Sequence, residues 1–428
     1  MKSGKFMAAA LGIFMVFALA ACNKPGGTEV SSASEVMSGQ TGGEETFVGT
    51  YDVKLWVPAD IADLTGQQVE AFNASNEDGI IINATVERVM ESEAAARMMN
   101  DIEAGGDLFC FSQDHFANLV REGALARIGT RTADLVREEN RDNPVSAVSA
   151  GNEIYAFPLA YNGGEVMFYD KTVISDSDAR HLDTILEKCE DEEKYIAFAS
   201  GYSDCFAENF FLATGCRSEW ITEEDGNLSL LKDTFNSEEG LTALKGLRKT
   251  VKSDAFRSGT GQIPEFGSDV AVCICGAENY DTMEEILGED LGVCELPFFE
   301  ADGEDYHLGS YTGYHLLGVK PQVNPGKQEA VYKLAQFLSG EECQRERLKE
   351  CGWTPSNILV RSDGEFTENT LQEAVLRQAV YSVPKGKIPN NRSEIETLLV
   401  QGAKSAKSEK DLQAVLDSYS EKIEEMIE

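Results

Sequence analysis

The sequence predicts an α/β fold divided into two lobes. From Tyr51 onward, short apolar runs alternate with amphipathic helical stretches, the pattern of sheets that carry helices on their faces. After a polar N-terminal stretch about 380 residues remain, too many for one hydrophobic core. The sequence contains no internal repeat.

The first residues read as a targeting segment. Lys2 and Lys5 precede an uncharged apolar run from Phe6 to Ala21, which ends Leu19-Ala20-Ala21-Cys22. The run is shorter than the roughly 20 apolar residues of a spanning helix, and the small residues before Cys22 suit a signal peptidase. Residues 1–21 are expected to be a lipoprotein signal peptide, with Cys22 becoming a diacylated N-terminus. Lipid chains contribute about 0.8 kcal/mol per buried methylene, so two or three together anchor the chain on the outer face of a cell membrane. Residues 22–48, rich in Gly, Ser, Thr and Glu, read as a flexible tether.

The folded part begins with a strand over Val53–Val57, stopped by Pro58. A helix from Ala62 to Asn73 sets Leu64, Val69 and Phe72 on one face. A strand over Gly79–Arg88, a helix over Ser92–Ala104, a strand over Asp107–Phe111 and a helix over Phe116–Glu122 follow. This alternation predicts a mostly parallel sheet, in which ligands gather at the carboxyl ends of the strands. The loops at those ends are 58–60, 112–115 and 162–165. The second half adds strands from Val166 onward, including Tyr195–Ala199 and Val270–Cys275, and helices over Phe206–Ala213 and Glu238–Val251. A strand over Tyr314–Val319 leads into a helix over Lys327–Leu338. Near the end Leu412, Val415, Leu416, Tyr419, Ile423 and Met426 form a stripe at helical spacing that is expected to pack on a lobe.

Composition excludes several classes. The formal net charge of -37 repels nucleic acid and anionic lipid head groups. Of the ten cysteines, nine remain beside Cys22, an odd number without regular spacing and so a poor disulfide framework. Cys110, Cys273 and Cys275 lie in apolar strand-like runs where a thiol behaves as a small hydrophobe. A structural zinc site wants four ligands, and Cys273-x-Cys275 has neither a second pair nor a nearby histidine. Free thiols outside the cytoplasm suit an anaerobic habitat. The four histidines, His115, His181, His307 and His315, show no metal spacing, and the sequence has no nucleophile elbow or phosphate loop. No enzyme activity, metal or cofactor is expected. With 74 acidic residues, a pair of carboxylates is no evidence for a glycosidase.

A series of segments then becomes recognisable: DVKLWVP at 52–58, GDLFCFSQD at 106–114, LVREGALA at 119–126, IYAFP at 154–158 and YDK at 169–171. Further on stand GVCELP at 292–297, GSYTGY at 309–314, GV at 318–319, AQFLSGEECQ at 335–344 and TPSN at 354–357. In this order the chain resembles the extracellular solute-binding proteins of sugar importers, the group that includes maltose-binding protein, and most closely the lipoprotein versions of Gram-positive bacteria. The resemblance implies a two-lobed periplasmic-binding-protein-like fold with the ligand cleft between the lobes. It places crossings near Pro158–Asn162, Asp305–Tyr311 and Trp353–Asn357. Lobe I is then 49–158 with 313–352, lobe II is 159–312, and 353–428 forms a C-terminal helical segment on the lobes. The implied function is capture of an oligosaccharide, maltose or maltodextrin-like, by a monomer that hands it to the permease subunits of an ABC importer.

The resemblance also points to residues. A sugar site needs carboxylates or amides for vicinal hydroxyls and aromatic faces for the ring. Asp114 stands where the family has its acidic hydroxyl-binding residue, with His115 beside it, and Trp56 and Asp60 occupy cleft-lining positions. Tyr202 falls where relatives present a stacking aromatic, and Tyr280 and Tyr314 are further aromatic candidates. Two positions depart from the family. Glu278 takes the place of a tryptophan, and at Asn162-Gly-Gly-Glu165 a cleft aromatic is replaced by Gly or Glu. Two carboxylates in a desolvated cleft suit an amino sugar or another amine-bearing solute, unless both point to solvent. A surface sensor or adhesive protein reusing the fold is the alternative from a different class.

Overall fold

The structure, a computed structural model, describes residues 47–199, 206–222, 228–363, 370–384 and 393–427. The expected signal peptide, the lipidation site Cys22, all but the last residues of the tether, and Tyr202 lie outside the described residues.

Along the chain the strands are β1 (Gly49–Val57), β2 (Ile80–Arg88), β3 (Leu108–Ser112), the small pair β4 (Ser149–Ala150) and β5 (Glu153–Ile154), and β6 (Ala156–Asn162). Then come β7 (Glu165–Asp170), β8 (Tyr195–Phe198), the hairpin β9 (Ser218–Thr222) and β10 (Leu228–Asp233), β11 (Phe256–Ser258) and β12 (Val270–Gly276). The last are β13 (Leu291–Cys294), the hairpin β14 (Phe298–Ala301) and β15 (Glu304–His307), β16 (Ser310–Val319) and β17 (Ser382–Pro384). Two sheets organise the molecule. One runs β17-β16-β3-β1-β2, with β6 also on β16, and the other runs β11-β8-β12-β7-β13.

Local chemistry accounts for the elements. The helix Ala62–Ser75 buries Ala62, Val69 and Phe72 on the side that meets the first sheet. The helix Glu238–Lys252 starts where the Ser237 side chain accepts the Gly240 N–H, and the helix Pro325–Ser339 starts where Asn324 accepts the Lys327 N–H. Pro325 suits the first helical position because its missing N–H would have had no partner there. The helix expected over Ser92–Ala104 is Glu91–Asn100 instead, because Asp101 Oδ1 accepts the Ala104 N–H and turns the chain.

The expectation of a mostly parallel sheet is corrected. β1 is parallel to β2 and β3, and β8 to β11 and β12, but β16 is antiparallel to β3 and β6, and β7 to β12 and β13. A helical connection returns the chain to the starting end of its sheet and makes strands parallel. β7 and β16 do not arrive that way: β7 enters directly from the other sheet and β16 after the β14–β15 hairpin, both at the edge where neighbouring strands end. β6 pairs with β16 as far as Asn162, and β7 begins at Glu165 in the other sheet, so the chain changes sheet at Gly163 and Gly164. Their φ values of 73° and 138° are ones that a residue without Cβ adopts freely.

One apolar core surrounds the first sheet, from Val53 through Tyr161 and again from Tyr314 to Leu338. Two further clusters cover the faces of the second sheet. Leu412, Leu416, Tyr419 and Ile423 of the helix Glu409–Ile427 belong to one of these, where Tyr419 stacks on Phe235 at 5.3 Å and Phe235 on Phe211 at 4.2 Å. Among the described residues no helix is long and apolar enough to cross a membrane.

Candidate ligand site

Strand register brings the candidate loops to two edges that meet at residues 162–165. β1 and β3 lie side by side and parallel, Leu55 against Leu108, so the turn holding Asp60 and the turn Gln113–His115 leave the same edge of the first sheet. β16 runs against β3 with His315 opposite Ser112, and against β6 with Gly313 opposite Asn162, which sets His315 and Asn162 along that edge. In the second sheet Glu165 begins β7 opposite Gly276 at the end of β12. The Ala277 N–H donates to the Gly164 carbonyl at 2.9 Å, which fastens the turn Ala277–Asn279 to the link between the sheets.

The side chains on the first edge are poorly committed. Asp60 and Asp114 are exposed, and His115 and Asn162 are half-buried. Among the described residues the side chains of Asp114, His115 and Asn162 have no hydrogen-bond or ion-pair partner. One Asp60 oxygen, Oδ2, is taken by the Trp353 indole N–H at 2.8 Å.

On the second edge Glu165 Oε2 accepts from Asn209 Nδ2 at 2.6 Å, and the same amide donates to the Gly309 carbonyl at 2.7 Å. Glu278 is exposed, and its carboxylate folds back over Gly276, where a Cβ would stand 2.1 Å from Oε1. Both glutamates act on one buried thiol. Cys275 is pushed far up, first by its hydrogen bond with Cys273, then by burial, and further by the charges of Glu278 and Glu165. Tyr280 opens the helix Tyr280–Leu287, half-buried, with its ring 6.4 Å from Phe168 and its hydroxyl donating to Glu284 at 3.0 Å. Burial first, and then the Glu284 carboxylate, raise its phenol above the ordinary range.

Two of the expected site residues are interior side chains. Trp56 is 5% exposed, packs beside Gly106 and donates its indole N–H to Glu87 at 2.8 Å. Tyr314 is fully buried with its ring 4.9 Å from Tyr161, and burial drives its phenol well above the usual range. Both belong to the apolar core around the first sheet. Sequence reasoning did not single out Trp353, Asn209 or Arg361, whose Nη1 donates to the Tyr161 hydroxyl at 3.1 Å. Their partners are distant in sequence, and the expected crossing at Trp353–Asn357 says nothing of the hydrogen bond that Trp353 makes.

Polar side chains and Tyr280 thus stand at strand ends of the two sheets, on either side of the link at residues 162–165. The chain belongs to the bacterial extracellular solute-binding proteins, whose family model matches residues 67–374. Its fold is shared with the ligand-free maltodextrin-binding protein of L. casei BL23, at 19% identity and a TM-score of 0.74, covering 87% of this chain and 99% of that one. It is also shared with a cyclo/maltodextrin-binding protein complexed with maltotetraose, at 21% identity, TM-score 0.69 and coverage of 87% and 97%. A third such structure is the extracellular solute-binding protein from Staphylococcus aureus in complex with maltose, at 16% identity, TM-score 0.69 and coverage of 88% and 97%. No curated protein matches the sequence.

Proposed function

We propose that this protein captures an oligosaccharide of the maltodextrin type between its lobes and delivers it to the membrane subunits of an ABC importer, without altering it. The observation that carries the reading is the set of unpaired polar side chains, Asp114, His115 and Asn162, at the strand ends of the first sheet, joined by residues 163–164 to the strand end of the second sheet that holds Glu165, Glu278 and Tyr280. Asp114, Asp60 and Asn162 would bind ring hydroxyls, whose demand for several acceptors and donors an uncommitted carboxylate and amide meet. Tyr280, with Tyr202, would supply ring faces. Relatives of the same fold that hold maltose and maltotetraose support the sugar class. Closure of the lobes about the links at Gly163–Gly164 and before Ser310 is the signal a permease would read. The mature chain would be a monomer, held on the outer face of the cell membrane through lipidated Cys22 and the tether. The glutamate pair beside Cys275 favours one second reading, an amino sugar or other amine-bearing solute.

The test is a thermal-shift panel on the full chain with maltodextrins, amino sugars, polyamines and short peptides. A ligand at a hundred times its dissociation constant stabilises the folded state by about 2.7 kcal/mol. Stabilisation by maltodextrins that Asp114→Ala removes supports the proposal. A response to amines alone, lost in Glu165→Gln or Glu278→Gln, selects the second reading, and silence across the panel rejects both.

A further inference from the structure

Asp60 is the terminal member of a chain of side-chain contacts through the first lobe. Its Oδ2 accepts at 2.8 Å the indole N–H of Trp353, just past the helix Glu341–Cys351. The Trp353 indole lies flat against the His315 imidazole, with centroids 4.0 Å apart and planes 15° apart. His315 Nδ1 stands 2.8 Å from Glu91 Oε1, and because an ionised carboxylate only accepts, Nδ1–H is the donor. The His315 and Glu91 side chains are only 19% and 12% exposed, so the pair is held rather than solvated. The Asp60 backbone is held as well, its carbonyl accepting the Cys351 thiol at 3.4 Å.

This differs from Asp114, whose carboxylate is free to rotate. One Asp60 oxygen is fixed, while among the described residues Oδ1 has no partner and the residue is exposed. Trp353 is 8% exposed with one face covered by His315, so it offers no platform for a sugar ring. What its N–H does is aim a carboxylate. The next residue is held as well, the Thr354 carbonyl accepting the Tyr161 N–H at 2.8 Å.

We propose that Trp353, locked by His315 and Glu91, is a positioning residue of the ligand site: it presents Asp60 Oδ1 to a ligand hydroxyl. The inference rests on the reading that Asp60 meets the captured sugar. A carboxylate pre-aimed by a buried donor loses less freedom on binding than one that must be ordered by the ligand, so the gain falls on affinity.

Calorimetric titration of the full chain with maltotetraose tests this with Trp353→Phe, Asp60→Ala and their combination. Trp353→Phe keeps the stack on His315 and removes the donor, and is expected to weaken binding about tenfold. In the Asp60→Ala background the same substitution is expected to change affinity by less than about twofold, the coupling that a general loosening of the fold does not produce. Glu91→Ala is expected to weaken binding about threefold, and Glu91→Gln, which keeps an acceptor for His315, to restore it. Wild-type affinity in Trp353→Phe, or an equal loss with and without Asp60, overturns the inference while leaving the proposed function standing. A wild-type protein that binds no maltodextrin overturns the proposed function and the inference together. Should Trp353→Phe fail to fold, the Glu91 pair decides, and wild-type affinity in Glu91→Ala overturns the inference.

Discussion

The side-chain oxygen of Gln344 accepts the backbone N–H of Ser356 at 2.8 Å, tying the helix Glu341–Cys351 to the segment that follows it. The same oxygen accepts the Asn357 N–H at 3.0 Å, and the Gln344 amide donates to the carbonyls of Ser339 at 2.7 Å and Pro158 at 3.3 Å. One buried amide thus serves both β6, which leads into the change of sheet, and the segment 356–357. Gln344→Ala leaves those backbone groups without partners in a dry interior. A loss of about 2–4 kcal/mol is expected, measured by urea unfolding, with Gln344→Glu no better because its second oxygen cannot donate to the carbonyls.

Asp114 presents the opposite case. It is exposed and has no partner among the described residues, so nothing in the fold depends on its charge. Asp114→Ala is expected to leave the melting temperature within about 1–2 °C of wild type, since surface substitutions of this kind stay within about 0.5 kcal/mol. Its effect should appear in binding, as a loss of about tenfold or more in maltodextrin affinity by titration calorimetry.

Acid stability should depend on Asp107. Its carboxylate, 8% exposed, accepts the Lys54 N–H and Lys327 Nζ, both at 2.9 Å, with Lys320 Nζ at 3.5 Å. Burial alone would raise its pKa, but the Lys54 N–H and the two ammonium groups outweigh burial and hold it below the usual value. A carboxyl whose folded pKa is depressed binds protons more readily when unfolded. Its contribution is therefore complete above the unfolded value of about 3.9 and is lost as pH falls through the folded value. Asp107→Asn is expected to cost about 3 kcal/mol at pH 7, because it leaves the largely buried Lys320 and the partly buried Lys327 without their counter-charge, and to flatten the pH dependence of stability below about pH 4. Urea midpoints across pH 2.5–7, about the range where carboxylates titrate, check both statements.

The C-terminal helix should be part of the second lobe's core. Tyr419 is fully buried against Phe235, and its hydroxyl donates to Asp233 at 2.7 Å. Tyr419→Ala removes a large side chain from a packed site and is expected to destabilise by about 3–5 kcal/mol, while Tyr419→Phe, which keeps the ring, should cost about 1–2 kcal/mol. Thermal unfolding followed by circular dichroism distinguishes them.

What the sequence determined by itself was local. Apolar periodicity depends on neighbours a few residues apart, so the first strand, the helices at 62–75, 238–252 and 325–339, and the buried stripe at 412–423 could be read without coordinates. The order of short segments likewise pointed to the solute-binding family that the family model identifies. Tertiary structure decided what depends on where the chain re-enters a sheet. β7 is antiparallel to β12 and β13, and β16 to β3 and β6, because each starts where those neighbours end, which no repeat in their own residues records. It also decided which face of a strand looks inward, taking Trp56 and Tyr314 into the core. And it joined Asp60 to Trp353, separated by 293 positions, through a single hydrogen bond that leaves no trace in the pattern of either segment.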